Sequence, residues 1–506
     1  MELKHLKSGT DVRGTAVNPN SPSEIDLTDE AIKRITLGFI EFLEKEKSIK
    51  MQNLTISVGH DSRVSAERIK ADVISALSGT VNNIKDCELC STPAMFMTTK
   101  MLGCDGAIMI TASHHPWDRN GLKFFTKDGG LSGSDIAKIL EIAENVEIKE
   151  PKSSNIEKVN FLESYSKLLS DMIKDGVKAE NYDKPLAGLK IVVDAGNGVG
   201  GFYADKVLSP LGADTRGSRF LEPDGRFPNH IPNPENKEAM ESIREATLES
   251  GADLGVIFDT DVDRGGCVSS DGKELNRNRL VALAAVIALE NNENGWIVTD
   301  SVTSAGLTEF INDTLGGKHL RFKRGYKNVI DEAARLCEIG ENAPLAIETS
   351  GHAAFRENYF LDDGAYLVTK IIIKMAQMKK NGKQLDDLIK ELKEPKEEVE
   401  IRLKINENDF KSYGENVIKN LESYSEKNAD WIIASDNHEG IKISFNSENT
   451  KGFFIFRLSV HDPIIPINIE SAIDGGTKEI AKLLYEQIIG YKSLDLTTFL
   501  NFLQKN

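Results

Sequence analysis

Leu254-Gly-Val-Ile-Phe258 runs straight into Asp259-Thr-Asp261-Val-Asp263-Arg264-Gly265-Gly266. The first five residues form a near-continuous apolar run, the pattern of a strand buried on both faces. The loop behind it carries carboxylates at alternate positions, which in a tight turn can converge on one hard cation. Three acids closing a buried strand repel one another unless a cation offsets them, which weighs against a merely solvated acidic turn. A calcium EF-hand loop needs Gly at its sixth position and Glu at its twelfth, where this chain has Arg264 and Ser270. An aspartyl-phosphate phosphatase, which uses an Asp-x-Asp pair after a strand, stays open on these residues alone.

The same strand-then-loop unit occurs twice more. Gly106–Ile110 leads into Thr111-Ala-Ser113-His114-His115-Pro116, and Leu345–Ile347 into Glu348-Thr-Ser350-Gly351-His352. Further apolar runs at Leu54–Val58, Lys190–Val193 and Trp296–Thr299, alternating with amphipathic stretches such as Lys237–Ser250 and Asn328–Cys337, predict α/β domains. Loops at strand ends in such folds bind ligands, because backbone amides and helix N-termini converge there. Three similar units can therefore aim three loops at one cleft. Ser113 reads as a nucleophile or phosphate carrier. It lacks the flanking glycines of an esterase nucleophile elbow, and an ordinary Ser/His turn competes with both readings. Arg119, Asn120, Gly121 and Lys123 are expected on the same loop, where they suit phosphate. Glu348 and Ser350 can grip adjacent hydroxyls. Arg457-Leu-Ser459-Val-His461-Asp462-Pro463 follows another strand and reads as a phosphate clamp or a plain surface loop.

At 506 residues the chain should hold three to five domains of about 100–200 residues each. A net charge of -17 argues against a nucleic-acid or anionic-membrane binder, and requires any anionic substrate to meet a local cationic pocket or a bound cation. Met1–Arg13 lacks the apolar core of a secretory signal, and the longest apolar run, Leu280–Leu289, is too short to span a bilayer and reads as a buried helix. Five cysteines fit a reducing cytoplasm; Cys87 and Cys90 lack the further ligands of a zinc site and read as packing. Asn145–Asn160 and the Lys/Glu-rich Gln377–Glu400 look like boundaries, the latter a solvated helix and linker suited to a hinge. Shorter strands at Trp431–Ala434, Ile441–Phe445 and Phe453–Leu458 then predict a smaller α+β C-terminal domain.

Taken in order, these loops resemble the α-D-phosphohexomutase family, which includes phosphoglucomutase and phosphomannomutase. Further stretches similar to that family are SGTDVRG (Ser8–Gly14), VGHDSRVS (Val58–Ser65), STPA (Ser91–Ala94), VVDAGNGVGG (Val192–Gly201) and FPNHIPNPEN (Phe227–Asn236), so the resemblance covers nearly the whole chain. It implies four domains around a central cleft, three similar α/β domains at 1–160, 161–275 and 276–385 and a smaller α+β domain at 386–506. By matched position it implies Ser113 as the phosphorylated residue, completing a Mg²⁺ site with Asp259, Asp261 and Asp263. Arg13 and Lys123 flank the moving phosphoryl group and His114 lies beside it, His114 and Lys123 being the acid–base candidates. Glu348 and Ser350 hold sugar hydroxyls, Arg457, Ser459 and His461 the other phosphate, Arg264 and His352 make polar contacts, and Lys327 in RGYKN helps select the sugar pose.

The implied reaction interconverts hexose 1- and 6-phosphates of glucose or mannose, with a hexose 1,6-bisphosphate as intermediate and activator. A phosphoglucosamine mutase, a metal-dependent sugar phosphatase and a non-catalytic sugar-phosphate binder are the alternatives. The expected partner is a small phosphosugar, with neither nucleic acid nor membrane, and the chain a monomer or small homo-oligomer. Two departures stand out. His115 occupies a place where many members have Asn, and RLSVHDPIIP (Arg457–Pro466) replaces the commoner RxSGTEPxxR, so that Val460, His461, Asp462 and Pro466 are unfamiliar and a second Arg is missing.

Overall fold

The computed structural model describes residues 1–21, 24–148, 153–435, 437–459 and 462–504. They form two compact units, 1–287 with 350–388 and 288–349 with 389–506.

The first unit holds two main sheets and the short antiparallel pair Ala353–Phe355 with Leu361–Asp362. The larger runs in the order Lys7–Ser8, Asp11–Thr15, Arg119–Thr126, Gly106–Ile110, Thr55–His60, Asn83–Leu89, Asn155–Lys158. Thr55–His60 is flanked by parallel neighbours on both sides, and every residue after Thr55 is buried. Its covering helices start where side chains cap them. Thr28 accepts from the Ala31 amide at the head of Asp29–Lys47, and Ser132 with Asp135 forms a reciprocal capping box at Gly133–Asn145. Ile32, Ile35, Phe39 and Leu43 from the first helix, and Ile136, Ile139 and Leu140 from the second, share one apolar core. The polar stretch after Asn145 returns to this sheet, since Asn155–Lys158 pairs with Asn83–Leu89.

The smaller sheet runs Glu274–Leu275, Gly265–Ser269, Leu254–Phe258, Ile191–Asp194. Leu254–Phe258 is parallel to Ile191–Asp194 but antiparallel to Gly265–Ser269, with Phe258 opposite Gly265. The acidic loop is thus a hairpin turn. The serine loop is one too, joining Gly106–Ile110 to the antiparallel strand Arg119–Thr126, with Ile110 opposite Leu122. Neither loop leads into a helix, and Arg119, Asn120, Gly121 and Lys123 lie on a strand, not on the loop expected for them. The reason is register: pairing back on the parent strand sets Lys123 opposite Met109.

In the second unit Lys318–Arg321, Trp296–Thr299 and Leu345–Ile347 pair in parallel. An antiparallel sheet holds Glu397–Ile405, Ile432–Ile433, Ile441–Asn446, Lys451–Phe456, Ile464–Ser471 and Leu494–Asp495. Two of its strands are nine and eight residues long, so its strands are not shorter than those before it. Trp431, Phe445 and Phe454 meet edge-on or tilted in its core, beneath the helices Phe410–Ser425 and Gly476–Ile488. Gln377–Glu400 is a linker only in its middle. It begins in the mostly buried helix Gly364–Lys380 and ends in the strand Glu397–Ile405, so the solvated helix expected there is confined to its last residues. Among the described residues no helix is long and apolar enough to cross a membrane.

Gly198, in the glycine-rich turn after Ile191–Asp194, lets that turn press on the acidic loop. The Val199 amide donates to the Thr260 carbonyl at 2.9 Å, and a Cβ on Gly198 would lie 2.6 Å from the same oxygen. Gly198→Ala should destabilise the protein by about 1–3 kcal/mol through overpacking, read as a lowered melting temperature.

Candidate active site

Ser113 is buried and sits in the left-handed region, φ 51°, at the base of a hairpin loop whose His114, Pro116 and Trp117 are exposed. Its Oγ donates to Asp259 Oδ2 at 2.9 Å and accepts from Arg264 Nη2 at 3.1 Å. The TASHHP and DTDVDR loops therefore meet at one oxygen. The backbone beneath Ser113 is tied as well: its amide donates to Thr111 Oγ1 at 2.9 Å, and the Thr111 hydroxyl donates to Asp61 Oδ2 at 2.7 Å.

Asp259, Asp261 and Asp263 are at most 1% exposed, and one oxygen of each lies within 4.8 Å of the others. Val262 between them takes φ 68°, the turn that folds the loop back over itself. Burial and the neighbouring carboxylates push Asp259 and Asp261 above the usual range. Burial acts on Asp263 in the same sense, but Lys123, His352 and Arg264 outweigh it and hold Asp263 below that range. Lys123 Nζ donates to Asp263 Oδ2 at 2.7 Å and lies 3.9 Å from both Asp261 and Asp11. Thr92, in STPA, donates its hydroxyl to Asp261 Oδ2 at 2.5 Å.

A second set, Asp263, His352 and Asp362, also comes within metal-binding reach. There His352 Nδ1 and Asp362 Oδ2 satisfy each other at 2.5 Å; burial opposes the charged imidazole, but Asp362 outweighs it and lifts His352 to about 9. In the first set, Asp261 Oδ1 and Asp263 Oδ1 are buried without a hydrogen-bond partner among the described residues. Orphaned oxygens beside clashing carboxylates are what a divalent cation would satisfy, so Asp259, Asp261 and Asp263 fit a hard ion.

The two loop histidines are neutral. Burial and then Arg264 push His114 down to about 2, and burial and then Arg13 push His115 down to about 3. Arg264 Nη2 meets His114 Nδ1 at 2.7 Å and Arg13 Nη1 meets His115 Nε2 at 3.0 Å, so each ring accepts there and carries its proton on the other nitrogen. Arg13 also donates to Asp11 Oδ2 at 2.7 Å. The 350–352 segment reaches the same cluster, because the Gly265 amide donates to the Gly351 carbonyl and Arg264 bridges His352. Ser350 Oγ is buried and has no hydrogen-bond partner among the described residues.

Ser113, His114, Lys123, Arg13, Asp259, Asp261, Asp263, Arg264, Ser350 and His352 all belong to the first unit. Lys327, Glu348, Arg457 and Ser459 belong to the second. There Glu348 is buried and accepts from the Gly325 amide at 2.6 Å, while Lys327, in the first turn of Tyr326–Glu338, pairs with Asp331. Arg457 follows Lys451–Phe456, its amide on the Pro466 carbonyl, and Ser459 Oγ accepts from the Asp462 amide. His461 and Val460 lie outside the described residues.

Sequence reading assigned no role to Asp61, Arg63, Thr92 or Asp362. A signal existed for the first two: Asp61-Ser-Arg63 follows an apolar strand as the other polar loops do. Cys87 and Cys90 are buried, with burial pushing both thiols up, as expected of packing residues.

Three family models match in chain order: the phosphoglucomutase/phosphomannomutase alpha/beta/alpha domain I over residues 6–150, domain II over 167–272 and domain III over 276–395. The phosphomannomutase/phosphoglucomutase of Pseudomonas syringae pv. tomato is 29% identical over 444 residues, 87% of this chain and 88% of the relative. That of Pseudomonas aeruginosa is 30% identical over 331 residues, 65% of this chain and 68% of the relative. A solved phosphoglucomutase/phosphomannomutase family protein from Burkholderia thailandensis shares the fold, with TM-score 0.78 over 96% of this chain and 98% of its own at 24% identity.

A divalent cation binding the acidic loop should raise the melting temperature. At a hundredfold its Kd the gain is about 2.7 kcal/mol, and Asp261→Asn should remove most of it in a thermal-shift titration.

Proposed function

This chain belongs to the phosphoglucomutase/phosphomannomutase family, and from that premise we propose that phosphorylated Ser113 is its phosphoryl carrier. The protein is a mutase, an intramolecular phosphotransferase. In the proposed cycle the Ser113 Oγ–P bond breaks as a new O–P bond forms to the free hydroxyl of a hexose 1- or 6-phosphate. The proton lost by that hydroxyl is balanced by the one Ser113 regains. The resulting hexose 1,6-bisphosphate turns round, and its other phosphate returns to Ser113. The observation that supports this most is the 2.9 Å bond from Ser113 Oγ to Asp259, with both groups buried.

Asp259, Asp261 and Asp263, with an oxygen of the esterified serine, would hold Mg²⁺, which when bound acts as a Lewis acid that offsets phosphate charge. The remaining work falls to the chain. Arg264, already donating to Ser113 Oγ, and Lys123 and Arg13 around it offset the charge of the moving group; fixed donors of this kind supply most of the stabilisation in phosphoryl transfer. His114 spends its Nδ1 on Arg264 and stays neutral, which leaves Nε2–H as a hydrogen-bond donor and makes Lys123 the better acid–base candidate. Glu348, Ser350 and Lys327 would orient the sugar, and Arg457 with Ser459 would take the second phosphate. We also propose the four domains 1–160, 161–275, 276–385 and 386–506, and a cytoplasmic setting in keeping with the buried thiols of Cys87, Cys90, Cys104 and Cys267.

Ser113→Ala should lower the formation of hexose 6-phosphate from glucose 1-phosphate or mannose 1-phosphate by about 10⁴-fold or more while the protein stays folded, as checked by circular dichroism. Wild-type protein should show one phosphate on Ser113 by intact mass, stable to acid and lost in alkali as a serine ester is. Inorganic phosphate released in step with substrate loss would replace the mutase reading by a phosphatase.

A further inference from the structure

Arg63 has no place in the reaction just described, yet its side chain is fully buried directly under the serine loop. Its guanidinium donates to four main-chain carbonyls of one hairpin: through Nη2 to Ser113 and, at 2.6 Å, to His115, and through Nη1 to Pro116 at 2.6 Å and Arg119 at 2.8 Å. We propose that Arg63 is the positioning residue that builds the serine loop and fixes Ser113 against the acidic loop. The proposal rests on reading Ser113 as the phosphoryl carrier.

The carbonyls that the loop turns inward, toward the buried Arg63, lie outside the sheet ladder, and each left unpaired there carries a desolvation penalty. The planar, five-donor guanidinium can satisfy several at once, and doing so folds residues 113–119 around a single centre. That centre is closed into a circuit. Arg63 pairs with Asp61 at 3.3 Å, Asp61 accepts from Thr111, Thr111 accepts from the Ser113 amide, and the Ser113 carbonyl accepts from Arg63. A left-handed conformation costs a serine about 1–2 kcal/mol and persists only where its surroundings over-determine it. Here both the amide and the carbonyl of Ser113 are held.

The same arginine is keyed to the other loop's support. Its guanidinium carbon lies 5.2 Å from the Phe227 ring centroid, a cation–π contact, and its backbone bridges Gly225 so closely that a Cβ there would sit 2.3 Å from the Ser62 carbonyl oxygen. Eight residues past Gly225, Asn233 accepts from Arg264 Nη1 at 3.2 Å, and Glu235 lies 3.7 Å from it. One segment thus braces Arg63, which sets Ser113, and Arg264, which donates to Ser113 Oγ. A shift of Arg63 would move the carrier oxygen relative to the carboxylates without touching any substrate-binding group.

The test uses full-length Arg63→Lys, which keeps the charge but cannot fork across four carbonyls. A misplacement of about 1 Å costs a reaction about 100-fold, so kcat should fall by about that factor while KM for glucose 1-phosphate and the Kd for Mg²⁺ stay within about threefold. Phosphate transfer from glucose 1,6-bisphosphate to Ser113, followed by mass, should slow in parallel but still reach one per chain. Unchanged kcat, or a loss carried by KM, would overturn the role of Arg63. Failure of the wild-type chain to take phosphate on Ser113 would instead overturn the carrier reading. Should Arg63→Lys not fold, Thr111→Val opens the circuit without touching the guanidinium; it should lower kcat about tenfold with KM unchanged, and full kcat in that variant would equally overturn the proposal.

Discussion

Three carboxylates are buried at the end of one strand, and the site is organised around containing their mutual repulsion. Like charges within 4.8 Å in a dry pocket cannot all ionise without counter-charge. Lys123, from a strand of the other sheet, Arg264, from the loop's own end, and His352 provide three cations, against these three carboxylates and Asp362. That leaves the cluster short of positive charge, and a phosphate ester on Ser113 would widen the shortfall. The charge balance of the residues therefore suits a bound cation, and the two carboxylate oxygens without a hydrogen-bond partner among the described residues, on Asp261 and Asp263, are where one would be felt.

Both loops carrying this chemistry are hairpin turns, and that matters for their precision. A turn between antiparallel strands is fixed at each end by ladder hydrogen bonds, so its tips inherit the rigidity of the sheet. Lys123 gains most from this. It lies on the return strand opposite Met109, buried and unable to sample other rotamers cheaply, so the ammonium is delivered to Asp263 by register. An acidic protein can hold anionic substrates on such terms, because a few buried cations focus a positive field inside a negatively charged surface.

Much of this was legible in the residues. Gly106–Ile110, Leu254–Phe258, Trp296–Thr299, Leu345–Ile347 and the helix Lys237–Ser250 were expected at the limits observed, because each apolar or amphipathic run ends abruptly in polar loop residues. The acidic triad and Ser113 were legible for the same reason. What could not be read was which polar residue meets which. Thr92 reaches Asp261 across 169 positions and Lys123 reaches Asp263 across 140, and local pattern carries no trace of such pairings. Asp61 and Arg63 are a different kind of omission. They follow a buried strand as the other loops do, but the hydrogen bonds of the Arg63 guanidinium go to main-chain carbonyls, which no side-chain identity in the sequence announces.

The two departures from the commoner family pattern differ in physical kind. His115, standing where many members have Asn, presents its Nε2 as an acceptor to Arg13, and burial together with Arg13 keeps the ring neutral over the ordinary pH range. A neutral imidazole acceptor does what an amide oxygen does, so the exchange preserves both charge and hydrogen bond. Pro466 cannot do the same for the missing arginine. It lies within the strand Ile464–Ser471, opposite Arg402, and contributes only its carbonyl, to the Arg457 amide. The first change keeps the electrostatics of the serine loop intact. The second removes a cation from that loop, so a phosphate bound there, as proposed above, would rest on Arg457 and Ser459 without a second arginine from the motif.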